Sequence, residues 1–155
     1  MGTLDHVAYH ALMSTRQLAS DEDRLAFLAA VGDLPSDLSE ADLADLWLVF
    51  VDGSNEPQAM FQLLHRMEKA PVDRLAASFL RAMSSIWLAN PWWTHVFVIR
   101  FPNNDSAREE LAQAARHATE DQREELINAL AMVSKRSDAV AGLAAAFSEA
   151  LRSQS

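Results

Sequence analysis

The stretch from Asn90 to Phe101, with the sequence NPWWTHVFVIRF, holds two of the four tryptophans and a nearly continuous run of apolar residues. Asn90 can cap the free amides of a helix, and the fixed φ of the proline that follows suits a first helical position. At helical spacing the large side chains fall on two adjoining faces, one formed by Trp92, Val96 and Ile99 and the other by Trp93, Phe97 and Phe101. We therefore expect a central helix that is buried on several sides. The content of β-branched and aromatic residues leaves a strand as the alternative.

The length and composition indicate a single all-α domain over residues 1–155. A chain of 155 residues is long enough to bury about 70% of the surface that its extended form exposes. Hydrophobic residues make up 50% of the chain and only 4 residues are glycine. This balance favours long regular elements over loops, and the abundant alanine and leucine favour helices.

Helix start signals divide the chain into about nine helices. Several starts combine a Ser or Thr with an acidic or amide residue three positions later, and others are marked by proline. The expected caps or first residues are Thr3, Ser20, Ser39, Pro57, Pro71, Asn90, Ser106, Thr119 and Ser137. The third helix should run until the turn at residues 52–55, and the helix after Pro71 has the most regular apolar spacing.

Short links between these helices predict that consecutive helices pack side by side and antiparallel. Two arrangements satisfy this prediction. One is a short HEAT-like α-solenoid of stacked helix pairs, which the spacing of the last three caps favours, and the other is a compact irregular bundle.

No residue pattern identifies a catalytic, metal or cofactor site. The chain has no cysteine and no glycine-rich phosphate-binding loop. His6 and His10 are four residues apart on one helical face, but neither a third ligand nor the glutamate of a zinc-protease helix accompanies them. The doublets Glu109–Glu110 and Glu124–Glu125 lie among arginines, which is typical of solvated helix faces. We therefore expect no cofactor, no bound metal and no enzymatic activity.

The chain shows no sign of export or membrane insertion. Its N-terminus lacks a basic region followed by an apolar one, and no apolar run reaches the length of a membrane helix. The absence of cysteine is compatible with a reducing compartment. We expect a cytoplasmic protein.

The charge of the chain is concentrated in its first third. The formal net charge is −9, and residues 1–56 carry eleven acidic against two basic residues, whereas the rest of the chain is balanced. A surface of this sign repels phosphate, so neither nucleic acid nor an anionic membrane is expected as a partner. It attracts a basic protein, although an acidic surface can also serve solubility alone.

The residues expected to contact a basic partner lie in the second and third helices and in the turns beside them. They are Asp33, Asp37, Glu40, Asp42, Asp45, Asp52 and Glu56. Glu40, Asp42 and Asp45 stand near the N-terminal end of the third helix and away from its apolar stripe. We expect these three to face solvent.

Three stretches carry a family resemblance: NPWW at Asn90–Trp93, PQAMFQLLHRM at Pro57–Met67 and NNDSAREEL at Asn103–Leu111. In these stretches, and in its general texture over residues 40–150, the chain resembles the small cytosolic immunity proteins of bacterial contact-dependent growth inhibition and related polymorphic toxin systems. Several such families are all-α and HEAT-like. The resemblance implies a non-enzymatic protein that holds a cognate toxin domain, frequently a basic nuclease, in an inactive complex. It assigns no binding residue.

Two other functions remain open. One is a HEAT-like adaptor that binds another basic protein or peptide, and the other is an enzyme whose site is assembled from unremarkable residues. A toxin gene directly upstream would distinguish a toxin inhibitor from an adaptor. Turnover of a substrate by the purified protein would indicate an enzyme.

Overall fold

Helices make up the regular structure of the computed structural model, which describes residues 6–54, 56–86, 89–100 and 105–136. The eight helices are α1 (His6–Thr15), α2 (Asp21–Gly32), α3 (Glu40–Trp47), α4 (Pro57–Met67), α5 (Val72–Ile86), α6 (Pro91–Arg100), α7 (Asp105–Arg116) and α8 (Glu120–Arg136). These ranges contain no strand, which confirms the all-α prediction and shows that the strand alternative for α6 is wrong. Thr3 and the last helix, predicted to start at Ser137, lie outside the described residues. None of the eight helices combines the length and hydropathy needed to cross a lipid bilayer.

Local capping chemistry sets several helix starts where the sequence predicts them. Ser20 accepts a hydrogen bond from the backbone N–H three residues later, at 3.1 Å, and α2 begins there. Ser39 and Asp42 form a reciprocal capping box at the start of α3. Thr119 and Gln122 form another at the start of α8, with both hydrogen bonds at 3.1 Å. Each bond satisfies an N–H that has no partner within its own helix.

Two predicted helix boundaries are wrong. α3 ends at Trp47, earlier than the turn that was predicted to break it. Val49 and Phe50 follow the helix and are fully buried, so their apolar character reflects burial rather than helical spacing. α7 begins at Asp105, which places Ser106 in its first turn rather than at its cap.

The helices stack in two rows, and α5 is the most connected of them. Packing joins α2 to α4 and α6 to α8 in the even-numbered row, and α3 to α5 and α5 to α7 in the odd-numbered row. α1 packs on α2, and α5 also contacts α6 and α8. The described core is therefore organised around α5. The prediction that α6 is the central helix is wrong. The buried face of α5 includes Leu75, Phe79, Met83 and Ile86, in agreement with the predicted spacing. Four of these contacts join a helix to the next but one: α2 with α4, α3 with α5, α5 with α7 and α6 with α8. The prediction that consecutive helices pack together is confirmed for α1 with α2 and for α5 with α6.

Side-chain contacts join α4 to α6. The ring centroids of Phe61 and Trp93 lie 5.0 Å apart. Further along, the Arg100 guanidinium donates to both carboxylate oxygens of Glu68, at 2.6 and 2.8 Å. A bidentate pair of this kind fixes the orientation of both partners. α2, α4 and α6 consequently form one continuous side of the described helices.

Trp47 lies at the centre of an aromatic cluster. Its ring centroid is 6.1 Å from that of Phe50, 5.3 Å from that of Phe79 and 4.6 Å from that of Phe97. Its indole N–H donates to the Ser78 hydroxyl at 2.8 Å, which satisfies a donor that would otherwise be buried without a partner. The cluster links α3, α5 and α6.

The two tryptophans of the NPWW step have different surroundings. Trp93 and Phe97 are each 1% exposed, whereas Trp92 is 44% exposed. Neighbouring residues on a helix point about 100° apart, so two adjacent side chains can have different surroundings. The prediction that α6 is buried nearly all round is therefore wrong at Trp92.

Candidate protein-binding surface

The seven acidic residues predicted to bind a partner all lie in the described part of the chain, but five of them make internal contacts. Three form ion pairs: Asp37 with Arg74 at 2.8 Å, Glu40 with Arg81 at 3.6 Å and Glu56 with Arg24 at 3.2 Å. The hydrogen bond from Arg74, together with its charge, lowers the pKa of Asp37. All six side chains are substantially exposed, and exposed pairs contribute only about 0–1 kcal/mol. A basic partner can therefore compete with these arginines.

Asp42 is buried, and the prediction that it faces solvent is wrong. It is 8% exposed, because its side chain turns back towards the start of α3. One carboxylate oxygen accepts a hydrogen bond from the Ser39 N–H at 3.0 Å, while the Asp42 N–H donates to the Ser39 hydroxyl at 3.1 Å. A carboxylate that closes a capping box is not available to a partner.

Asp52 caps α6 from a distant part of the chain. Its carboxylate oxygens accept hydrogen bonds from the Trp92 N–H at 2.8 Å and the Trp93 N–H at 3.1 Å. Its own N–H donates to the Asn90 side-chain oxygen at 2.8 Å. The sequence predicts that the Asn90 side chain caps α6. That side chain instead accepts a hydrogen bond from the Asp52 N–H, and the Asp52 carboxylate caps the helix. The negative charge is also favourable at a helix N-terminus.

Replacing Asp52 by Ala should lower the free energy of unfolding by about 1–2 kcal/mol, because two N–H groups at the start of α6 lose their acceptors. Asp52→Asn should lose less, since an amide oxygen can still accept one of these bonds. Urea unfolding followed by circular dichroism gives the values. Asp45→Ala is the control, with an expected change under about 0.5 kcal/mol. Equal losses for Asp52→Ala and Asp45→Ala would contradict the capping role.

Asp33 and Asp45 are exposed and have no structural role in the described contacts. Neither carboxylate forms a hydrogen bond or ion pair within the described ranges. Asp33 is the C-cap residue of α2, where a negative charge is unfavourable by about 0.3–1 kcal/mol. The pKa of Tyr9 is raised by burial and, to a smaller extent, by the charge of Asp45. Because neither acid supports the fold, both are available to a partner.

Most of the uncompensated negative charge lies on α2, whereas α3 keeps one exposed acid without an ion pair among the described residues, Asp45. Arginines of α5 pair with Asp37 and Glu40, which stand beside the start of α3. α2 instead carries acids at both ends, namely Asp21, Glu22, Asp23 and Asp33. The one arginine of α2, Arg24, is already paired with Glu56. Sequence reasoning treated the two helices alike because the neutralising arginines come from a helix much later in the chain.

An open groove of about 760 Å³ lies between α2 and α4. Its lining includes Asp21, Arg24, Leu28, Glu56, Gln58 and Gln62. The ion pair between Arg24 and Glu56 joins the two walls. The Asp21 carboxylate also lines the groove, and the side-chain amides of Gln58 and Gln62 supply further acceptors. The groove can therefore accept hydrogen bonds from a cationic side chain.

A second groove, of about 420 Å³, lies on the odd-numbered row. Charges of both signs line it, among them Glu40, Asp73, Arg81, Glu110 and His117. The ion pair of Glu40 with Arg81 bridges part of it. The α2–α4 groove also has charges of both signs, so charge alone does not distinguish the two grooves.

The candidate metal ligands are not gathered into a site in the described part of the chain. His10 is exposed on α1, and the side chain of His6 is not among those described. Among the described residues, no group of three or more His, Asp or Glu side chains could hold a metal ion. This geometry gives no basis for assigning a metal to the two histidines.

Trp92 is exposed at the surface, although the sequence predicts that it is buried. Its ring meets that of Trp93 edge-on, with centroids 4.8 Å apart and planes at 83°. Exposed tryptophans that are held rigidly are enriched among the residues that dominate binding energy at protein interfaces. The tandem tryptophans alone do not signal this exposure, because adjacent residues of one helix can both be buried, as Phe97 and Val98 are.

The comparison with protein families gives a match. The family model described as immunity protein 30 matches residues 14–111, more than half of the chain. The matched range begins in α1 and ends in α7, and it contains the seven acidic residues, the α2–α4 groove and Trp92. A search of curated proteins and a search of solved structures found no match.

Proposed function

The chain belongs to the immunity protein 30 family, and we propose on that premise that it neutralises its toxin by covering the active site of a basic toxin domain. Membership of the family makes the chain an immunity protein whose partner is a toxin protein. Immunity proteins generally act without catalysis, so tight binding is sufficient for the function. The family match is the observation that carries the proposal, and the charge of the chain defines the kind of toxin.

The proposed basic character of the toxin follows from complementary charge. The net charge of −9 is concentrated in residues 1–56, and α2 carries the largest group of acids that internal arginines do not offset. Opposite charge raises the rate of encounter and disfavours partners of the wrong sign. An acidic protein with this distribution therefore fits a cationic toxin surface.

The predicted binding residues contribute to this proposal in three different ways. Asp33 and Asp45 are free to contact the toxin directly, while Asp37, Glu40 and Glu56 can exchange their exposed arginines for cations of the toxin. Asp42 and Asp52 are committed to helix caps, so they add to the negative field without making a direct contact. We centre the contact on α2 and on the start of α4, beside Asp33 and Glu56.

We propose a nuclease as the toxin because a nuclease binds a polyanion and needs a basic surface around its active site. An acidic protein competes for that surface, so inhibition follows from occlusion. A bacterial contact-dependent growth inhibition or related polymorphic toxin system would supply such a toxin, and the cytoplasm is where the nucleic acid is cleaved. We therefore place the immunity protein there.

The fold proposed for this role is a short HEAT-like solenoid. Its support is the packing of α2 on α4, α3 on α5, α5 on α7 and α6 on α8, in which each helix packs on the next but one. Rows of stacked helices present extended surfaces that suit recognition of another protein.

Co-expression with the toxin encoded beside this protein tests the proposal. The wild-type protein should restore growth of cells that express the toxin and should be recovered with it in one complex. The toxin polypeptide should be intact in that complex, since inhibition requires no chemistry. An unrelated acidic protein of similar size and charge is the control and should not protect. Absence of both protection and complex formation would refute the proposed function.

A further inference from the structure

Three large hydrophobic side chains are exposed among the described residues: Val7 is 74% exposed, Leu25 60% and Trp92 44%. Trp92 is the largest of these and can bury the most apolar area in an interface. It is also the one held in place by several contacts. Asp52 fixes its backbone N–H at 2.8 Å, and its ring packs edge-on against buried Trp93. Such a side chain loses little conformational freedom when it binds.

Trp92 and the α2–α4 groove belong to the same side of the molecule. α4 lies between them, since Gln58 and Gln62 line the groove while Phe61 contacts Trp93 in α6. The loop from Asp52 to Glu56 gives a second connection. One end of this loop bonds to the start of α6, and the other end pairs with α2 through Arg24.

The distance between the two features suits a single interface. Asp52 and Glu56 are four positions apart in the sequence, and a fully extended chain of that length spans at most about 14 Å. A standard interface covers about 800 Å² on each partner, which corresponds to a disc about 30 Å across. One partner can therefore contact Trp92 and the groove at the same time.

We infer that the toxin docks on the face formed by α2, α4 and α6, with Trp92 inserted into an apolar pocket of the toxin and a lysine or arginine of the toxin seated in the α2–α4 groove. This inference rests on the proposed function. The negative charge of α2 and the hydrogen-bond acceptors of the groove favour a cationic side chain of the toxin. The exposed indole of Trp92 requires an apolar pocket on the toxin beside that side chain. The acids beside the odd-numbered row contribute less to this contact, because two of them, Asp37 and Glu40, are paired with arginines of α5.

Dissociation of the complex tests the role of Trp92. Trp92→Ala should raise the dissociation rate constant at least about tenfold and change the association rate constant less than about threefold. Trp92→Phe should recover part of the loss. Leu25→Ala and Val7→Ala are matched controls, since each removes another exposed hydrophobic side chain, and each should change dissociation less than about twofold. Surface plasmon resonance with purified toxin gives both rate constants.

A charge placed in the groove tests the second contact. Gln62→Lys should slow association and weaken binding at least about tenfold, because a second cation enters the groove. Ser84→Lys adds the same charge at an exposed position of α5 and should change binding less than about threefold. Circular dichroism on all variants shows whether the fold is retained.

Three outcomes would overturn the inference. The first is unchanged dissociation for Trp92→Ala while wild type inhibits the toxin, which refutes the docking face and leaves the proposed function intact. The second is a dominant effect of Leu25→Ala or Val7→Ala, which places the contact on the outer side of α1 and α2. The third is a dimer of the free protein that Trp92→Ala converts to monomer, since the face would then bind a second copy. Failure of wild type to inhibit would instead refute the proposed function itself.

Discussion

Replacing Phe97 by Ala should lower the free energy of unfolding by about 3–5 kcal/mol. Phe97 is 1% exposed, and its ring centroid lies 4.6 Å from that of Trp47, 5.0 Å from that of Phe50 and 6.0 Å from that of Phe79. Removing the ring leaves a cavity where α3, α5 and α6 meet, and packed aromatic neighbours can close it only in part. Because a domain of this size is stable by about 5–15 kcal/mol, the loss is a large fraction of the total. Urea unfolding measures it.

Trp92→Ala is the matched control for this experiment. It removes a larger ring from the same helix, but the ring is 44% exposed, so the expected loss is under about 1 kcal/mol. The informative quantity is the loss of unfolding free energy for Phe97→Ala relative to that for Trp92→Ala. A loss below about 1 kcal/mol for Phe97→Ala, or similar losses for both variants, would contradict the division of α6 into a buried and an exposed side.

Helix starts could be predicted from the sequence because capping is a local interaction. Ser39 and Thr119 each meet their partner three residues later, so the signal and the contact occupy the same short stretch. The apolar face of α5 could be predicted for the same reason, since its spacing lies within one helix. Helix ends were less predictable, as α3 shows: Val49 and Phe50 continue its apolar pattern although they lie outside the helix.

The central position of α5 could not be predicted, because it depends on contacts between helices that are distant in sequence. α5 joins both neighbours of the odd-numbered row and also contacts α6 and α8. The abundance of large side chains made α6 the natural candidate for the centre. Trp92, however, is exposed, and the position of a helix relative to its neighbours determines which of its faces is covered.

The double substitution Glu22→Lys and Asp33→Lys should slow association with the toxin at least about tenfold at low salt. Both side chains are exposed on α2, the helix that carries the uncompensated acids, and reversal of both charges replaces attraction by repulsion there. The difference from wild type should shrink as salt screens the surface. Stopped-flow mixing at several salt concentrations measures the association rate constants.

The folded state should tolerate this double substitution. A lysine at Glu22 is unfavourable at the N-terminus of α2, whereas a lysine at Asp33 is favourable at its C-terminus, so the two dipole effects of about 0.3–1 kcal/mol oppose each other. Glu109→Lys with Glu124→Lys is the control. It changes the net charge by the same amount on exposed positions of α7 and α8. Equal slowing by both double variants would show that only the net charge matters and would refute the special role of α2.

The excess of acidic residues in the first third of the chain could be predicted from the sequence, but the availability of each acid could not. Asp42 illustrates the local part of the problem, since the same residue was predicted both to close a capping box and to face solvent. Asp52 illustrates the long-range part, because its role depends on α6 lying beside the loop after α3. Asp37 and Glu40 depend in the same way on arginines of α5. Only Asp33 and Asp45 are left free of described internal partners.

Titration of the toxin with the purified protein tests the central claim most directly. The catalytic activity of a fixed amount of toxin is measured against increasing amounts of the wild-type protein, and the toxin is then recovered from the complex in denaturant and refolded. Inhibition by occlusion predicts that activity falls linearly to its end point at one equivalent and returns in full after recovery. Undiminished toxin activity at a large excess of the protein, or permanent inactivation by much less than one equivalent, would contradict the account.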